Sequence, residues 1–394
     1  MTWATASRPL RVVLIAGEHS GDALGAKLIG ALKTATGGNI AFSGVGGEEM
    51  EAQGFRSLFP LDEVAVMGPL AILRRLPVII RRVHEAVDAC VAANPDVLVI
   101  IDSPEFTHAI ARRVRKRAPR LPIINYVSPS VWAWRPWRAR RMRPYVDHVM
   151  ALLPFEPAAH AQLGGPPCTY VGHPLIERLD VIKSADSAEL AERLRIAGKP
   201  VIVVLPGSRR SEIERLMQPF GEALDRLRLR GHAFEVVLPA VTSMRALIEE
   251  KARAWPIVPH IVNGEADKFA AFRLARVALA ASGTVTLELG LAGTPAVVAY
   301  RADVVVAAMR FLIKVPSVVL TNLVAGENIY PELLQEDCTP ETLATALALL
   351  LEDTPERVAQ LEGLAKIPDI MASAGDNPSD AAARVVLRQT PRPA

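Results

Sequence analysis

Short apolar runs alternate with amphipathic stretches along most of this chain. Residues 11–17 form a nearly continuous apolar run, the pattern of a strand buried on both faces, and residues 22–33 follow with helical spacing. The same pairing recurs as a strand over 97–101 and a helix over 106–117, then as strands over 123–127 and 148–153. After Pro174 the chain turns polar, and 177–199 reads as a linker containing a short helix. Alternation restarts with strands over 201–205, 234–238, 260–262, 277–281 and 296–300, and with helices over 211–228 and from Thr286 onward. Strands alternating with helices predict parallel sheets covered on both faces. The expected fold is α/β: two doubly wound Rossmann-like domains facing a cleft, over residues 1–180 and 181–365. A helical tail over 366–394 is expected to return to the N-terminal domain.

Composition narrows the function classes. Lys and Arg number 45 against 42 Asp and Glu, a net charge of +3, whereas a general nucleic-acid binder is normally more basic. Cys90, Cys168 and Cys338 lie far apart, with neither a disulfide framework nor zinc spacing, which fits a reducing cytoplasm. The apolar stretch 12–17 is short for a signal peptide and runs directly into Glu18, His19 and Asp22. The most apolar long stretch, 297–320, carries Arg301, Asp303, Arg310 and Lys314, so a soluble or peripheral protein is expected.

In doubly wound sheets ligands sit at the carboxyl ends of strands. The first strand ends in Gly17, Glu18, His19, Ser20, Gly21 and Asp22, which is no dinucleotide fingerprint. Ser20 and Gly21 leave a helix start open to a ligand, while Asp22 serves equally as a cap. The strand over 97–101 ends in Asp102 before Ser103, Pro104 and Glu105. A carboxylate at that rim suits a general base, and a contact to a neighbouring backbone amide would explain it as well. The strand over 201–205 ends in Pro206, Gly207, Ser208 and Arg209, an anion site without the lysine of a P-loop. The strand over 277–281 ends in Ser282, Gly283 and Thr284, and Glu288 follows where a carboxylate takes ribose hydroxyls. Capping is the ordinary task of such serines and threonines, but two cradles in one domain point to a nucleotide diphosphate. The chain has no Asp-x-Asp and no ligand-spaced histidine pair, so neither metal nor cofactor is expected.

Residues 126–143 hold three of the five tryptophans and five arginines. Ser128, Ser130, Trp132, Trp134 and Arg135 open this loop, whose indoles and guanidiniums suit a large ligand that is both anionic and apolar. A basic surface helix packed through its tryptophans gives the same pattern.

The residues resemble the lipid-A-disaccharide synthase family of GT-B glycosyltransferases over nearly the whole chain. The shared segments are 16–18 with 20–22, Ala65-Val66-Met67-Gly68, Ile101-Asp102, 126–134, Leu153-Pro154-Phe155-Glu156 and Val171-Gly172-His173-Pro174. They continue with 205–209, 281–284 and Asn322-Leu323-Val324-Ala325-Gly326. The resemblance implies transfer of 2,3-diacylglucosamine from its UDP derivative to the 6-hydroxyl of 2,3-diacylglucosamine 1-phosphate, lipid X. The product is the β-1,6 lipid A disaccharide 1-phosphate. It implies Asp102 as base with Glu18 the second carboxylate, and a UDP site that includes Asn322. The acceptor would meet Ser20, Asp22 and the tryptophan loop. Two departures stand out: the family's usual Pro-Asp-Phe-Asn is here Pro104-Glu105-Phe106-Thr107, and His19 replaces a small or hydroxyl residue.

The acylated substrates that the resemblance implies need a membrane surface, and the resemblance implies a protein peripherally bound at the cytoplasmic face of the inner membrane. Leu70, Ile72, Leu73, Arg74, Arg75, Ile79, Arg81 and Arg82 form one basic amphipathic candidate for anionic lipids, and residues 304–319 form another. Buried helices with snorkelling arginines are the plain alternative for both. The oligomeric state stays open, a homodimer included. A sugar-nucleotide epimerase shares the two-domain form but needs no lipid-facing surface. A single-stranded RNA binder would use the tryptophan loop but gives no reason for two phosphate cradles.

Overall fold

In the computed structural model the first apolar run becomes β1 (Leu10–Ala16), paired on its two sides with β2 (Ile40–Val45) and β3 (Val97–Ile101). The described residues are 7–65, 69–196, 198–302, 315–372 and 377–391, with the backbone alone for 69–74. The sheet continues through β4 (Ile123–Tyr126), β5 (His148–Ala151) and β6 (Cys168–Tyr170), all parallel, in the order β2-β1-β3-β4-β5-β6. Side chains of β1 alternate between its faces. Val12 and Leu14 pack with Leu28 and Leu32 of α1 (His19–Ala35) and with Ala382 and Val386 of the last helix, Pro378–Gln389. Val13 and Ile15 pack on the other face with Val83 of α3 (Pro69–Ala93) and Ile110 of α4 (Pro104–Arg117). Covering both faces is what demands a continuous apolar run in these strands. Between them lie a short α2 (Glu48–Ala52), α5 (Trp137–Met142) and α6 (Glu156–Gln162).

A second parallel sheet has the order β12-β11-β10-β7-β8-β9. Its strands are β7 (Val201–Leu205), β8 (Glu235–Ala240), β9 (His260–Asn263), β10 (Val277–Ala281), β11 (Ala296–Tyr300) and β12 (Glu332–Leu334). The chain divides into two compact units, residues 1–176 with 372–394, and residues 177–371. The stretch expected as a linker is instead folded into the second unit as α7 (Leu179–Ser184) and α8 (Ser187–Arg193). Asp186 caps α8 by accepting from the amides of Ala188 and Glu189. Then come α9 (Arg210–Leu229), α10 (Arg245–Ala252), α11 (Glu265–Leu274) and α12 (Val285–Ala292). On α9, Ile213, Leu216, Phe220, Leu224 and Leu227 recur at helical intervals and pack on Ile202 and Val204. Among the described residues no helix is long and apolar enough to cross a membrane.

Candidate active site

Asp102 follows β3 with a φ of +54°, and Ser103 follows it at +42°. Two successive non-glycine residues in the left-handed region store strain, which neighbours must hold in place. The amide of Asp102 donates to Tyr126 O at 3.0 Å, and Thr107 Oγ1 donates to the Asp102 carbonyl at 2.7 Å. The carboxylate accepts from Ser103 N at 2.8 Å through Oδ1 and from Ser20 Oγ at 2.9 Å through Oδ2. The neighbouring amide contact and the half-buried rim position both occur, because the carboxylate has two oxygens. Thr107, one of the departures from the family pattern, thus acts through the backbone of Asp102. Glu105, in the same substituted segment, pairs with Arg138 and lies 4.0 Å from Arg135, tying the arginine-rich segment to the start of α4.

The next strand end is strained too: Val127 has a φ of +77°, an outlier for a β-branched residue. Its carbonyl accepts from Asn125 Nδ2 at 2.8 Å. Asn125 Oδ1 faces His108 Nε2 at 3.0 Å, and Tyr145 OH lies 3.1 Å from Nδ1. Because Oδ1 can only accept, Nε2 carries the ring proton and the phenol donates to Nδ1. Burial depresses His108 to about 4, so the ring stays neutral. Through Thr107 and His108, α4 steadies both strained strand ends.

The expected acceptor residues separate. Ser20 reaches Asp102, and Glu18, half-buried, is the residue just before α1. Asp22 turns inward, against expectation. Its buried carboxylate accepts from the amides of Gly47, Glu49 and Met50 at 2.7, 3.0 and 3.1 Å, holding the turn into α2. Ser128 is also buried, its hydroxyl 2.8 Å from His160 Nε2, so it serves the interior. Trp132 is half-buried, whereas Ser130 and Trp134 are exposed. The Arg135 guanidinium lies 3.9 Å from the Trp134 ring centre.

In the second unit a pocket of about 490 Å³ is walled by Gly207, Ser208 and Arg209 after β7 and by Ser282, Gly283 and Thr284 after β10, with Glu288 beside them. The two turns read as cradles therefore share one cavity. One detail departs from expectation. The amides of Ser208 and Arg209 donate to Glu212 Oε2 at 3.1 and 3.3 Å, so a carboxylate already occupies the place assigned to an anion. Gly207 sits at a φ of +111°, and a Cβ there would lie 2.4 Å from Glu212 Oε2. Glu212 also holds Arg209 Nη1 at 3.2 Å. Asn322 is not on the pocket wall. It is buried, with Oδ1 accepting from Tyr330 N and Nδ2 donating to Tyr330 O, both at 2.9 Å, which replaces the expected ligand contact by a structural one. Lys268 of α11 was not foreseen: it lines the pocket and pairs with Glu288 at 2.8 Å. Only an assigned helix over 265–274 would have pointed to it. Among the described residues no group of three His, Cys, Asp or Glu is placed to hold a metal ion.

Of the membrane candidates, Leu70, Leu73 and Arg74 lie in α3 without described side chains, and residues 303–314 fall outside the described residues. Arg75 and Arg81 are exposed, as are Leu76 and Ile80. Ile79 packs against the core. Arg82 does not fit the expectation. It is bound between Glu63 at 2.8 Å and Glu85, over the Phe59 ring, so its charge is already met by two carboxylates.

Two parallel Rossmann-like units, with a pocket at the strand ends of the second, define the GT-B fold class. A UDP-GlcNAc 2-epimerase from Neisseria meningitidis bound to UDP-GlcNAc superposes with a TM-score of 0.61 at 14% identity, covering 96% of this chain and 99% of that one. MurG from Acinetobacter baumannii does so with a TM-score of 0.60 at 14% identity, covering 96% and 100%. These likenesses show the fold alone. The family profile described as lipid-A-disaccharide synthetase matches residues 12–383. The lipid-A-disaccharide synthase of Rhodopseudomonas palustris strain HaA2 is 54% identical over 98% of this chain and 97% of its own length. That of Nitrobacter hamburgensis is 53% identical over 98% and 96%. The chain belongs to the lipid-A-disaccharide synthase family, glycosyltransferases of lipid A biosynthesis.

Proposed function

We propose that the protein is an inverting glycosyltransferase that moves 2,3-diacylglucosamine from its UDP derivative to 2,3-diacylglucosamine 1-phosphate. The observation that carries the reading is the single pocket uniting the two strand-end turns with Glu288. The 6-hydroxyl oxygen of the acceptor attacks C1 of the donor, the bond from C1 to the diphosphate breaks, and UDP leaves with the electron pair. Asp102 takes the hydroxyl proton, oriented by Ser20, with Glu18 the second carboxylate of that region. Arg209, Lys268 and the start of α12 oppose the charge of the leaving diphosphate, so no metal is invoked. Glu288 takes ribose hydroxyls. Trp132, Trp134 and Arg135 meet the acceptor, an indole face for its apolar parts and a guanidinium for its phosphate. The exposed Leu76, Ile80, Arg75 and Arg81 of α3 rest on the anionic inner leaflet at the cytoplasmic side, where both acylated substrates reside.

The fold also houses an epimerase, so the test supplies two substrate sets. UDP release from UDP-2,3-diacylglucosamine in the presence of the acylated acceptor, with no turnover of UDP-GlcNAc alone, is the expected result. Conversion of UDP-GlcNAc without an acceptor would overturn the reading in favour of epimerisation.

A further inference from the structure

Glu156, at the start of α6, is buried to 3% exposure and gathers donors from two neighbouring strand ends. Its Oε1 accepts from Trp132 Nε1 at 3.0 Å, and its Oε2 accepts from Leu153 N at 3.0 Å and Leu152 N at 3.1 Å. Phe155, the preceding residue, meets the Trp132 ring edge-on at 5.1 Å. The loop after β4 and the loop after β5 are therefore joined through one carboxylate and one aromatic pair. The same strand ends are connected to Asp102 by backbone: Asp102 N donates to Tyr126 O, and Val127 N donates to Met150 O. A buried carboxylate is costly unless donors surround it, so this one needs a reason to be there.

We propose that Glu156 is a positioning residue for the acceptor, fixing the Trp132 indole against the acceptor-binding face. This rests on the glycosyltransferase reading, in which Trp132 touches the acceptor. Glutamine cannot replace the carboxylate: its amide NH2 would face either the indole N–H or the two backbone amides, donor against donor. Behind Glu156, the Ser128 hydroxyl lies 2.8 Å from His160 Nε2, and His160 Nδ1 is buried with no hydrogen-bond partner among the described residues.

Burial, opposed by these donors, lifts Glu156 to about 7. The titratable groups facing it are His160 on α6 and Cys168 and Tyr170 on β6. Burial depresses His160 to about 4 and raises both the Cys168 thiol and the Tyr170 phenol, the latter to about 12. Glu156 is thus the group of this cluster that changes charge near neutrality. Protonation removes an acceptor site that the three N–H groups use, so the indole is held best above pH 7.

The test compares the full-length wild type with Glu156→Gln, Glu156→Asp, Trp132→Phe and the Glu156→Gln, Trp132→Phe double variant. Tryptophan emission, corrected with Trp132→Phe, should titrate near pH 7 in the wild type and lose that step in Glu156→Gln. Glu156→Gln should raise the KM for the acylated acceptor by about tenfold or more, as for a lost charge-assisted bond, while kcat and the affinity for UDP hold. Glu156→Asp should recover part of it, and the double variant should be no worse than Trp132→Phe alone, the signature of one pathway. Additive effects, or equal losses in acceptor and UDP binding, would overturn the proposal. If Glu156→Gln fails to fold, an emission step near pH 7 with a rising acceptor KM below it in the wild type supports the proposal, and a flat profile overturns it. Absence of any acylated-sugar turnover in the wild type would instead strike the glycosyltransferase reading, and the emission titration would still report the link.

Discussion

Ser20 Oγ donates to Asp102 Oδ2 at 2.9 Å, joining the start of α1 to the end of β3. The bond aims one carboxylate oxygen while Ser103 N occupies the other, and Thr107 fixes the backbone beneath. In the proposed reaction a base held this way is oriented before substrate arrives, and the left-handed backbone at Asp102 and Ser103 stores part of that orientation as strain.

Asp102→Asn is expected to leave the fold and UDP binding intact while lowering turnover by ~100-fold or more, as for a lost general base. Ser20→Ala should lower it less, since the carboxylate remains. Turnover assays beside circular dichroism decide this. Near-normal turnover in Asp102→Asn would remove it as the base and direct attention to Glu18.

Arg209→Ala and Glu288→Ala should each weaken UDP binding by ~1–3 kcal/mol, the range for charged hydrogen bonds. Glu288→Ala also strips Lys268 of its partner, so part of the loss can be offset by a freed ammonium meeting the diphosphate. Titration calorimetry with UDP alone reads both variants. Unchanged affinity in both would place the nucleotide elsewhere.

Burial sets two opposing pH dependences of stability. His108, His160 and His173 are depressed to about 4, so on acidification from ~6.5 the unfolded chain takes up three protons that the folded one refuses, and stability falls. Glu156, raised to about 7, has the reverse sign: between ~4.5 and 7 the folded state keeps a proton that the unfolded state loses, so stability falls as pH rises. Between pH ~4.5 and 6.5 the histidines win, by about two protons, each of order 1.4 kcal/mol per pH unit. Urea unfolding across this window should show stability climbing with pH, and climbing more steeply in Glu156→Gln. An identical slope in that variant would mean Glu156 is already ionised throughout.

The strands β1, β3, β7 and β10 were legible because burial on both faces leaves them apolar, save for Arg11 near the start of β1. The edge strand β2 was not: its residues are partly exposed, and Gly44 lies so close to the Leu14 carbonyl that a Cβ would sit 1.9 Å from it, a fact of tertiary approach. Helix α11 carries apolar residues on more than one side, so no stripe announces it, and Lys268 went unnoticed with it. In the site, glycine, serine and arginine at strand ends betrayed the pocket, because few residue types suit such turns. What each polar group is committed to was hidden. Asp22 answers to Gly47, Asn322 to Tyr330, and the 208–209 amides to Glu212, pairings that exist only after folding.

Arg75→Gln with Arg81→Gln should reduce sedimentation with anionic vesicles mainly at low salt, by ~1 kcal/mol for each charge near the surface. Arg82→Gln should instead lower the melting temperature with little change in partitioning, since Glu63 and Glu85 would lose their cation. Equal partitioning of the double variant and the wild type at low salt would rule out this face of α3.

The most direct measurement is the proton NMR spectrum of the purified product from UDP-2,3-diacylglucosamine and 2,3-diacylglucosamine 1-phosphate. The account predicts one new anomeric proton with the large coupling of a β linkage, and shifted protons on the acceptor C6, with UDP formed in equal amount. An α-configured product, a linkage to another hydroxyl, or UDP released without a disaccharide would contradict it.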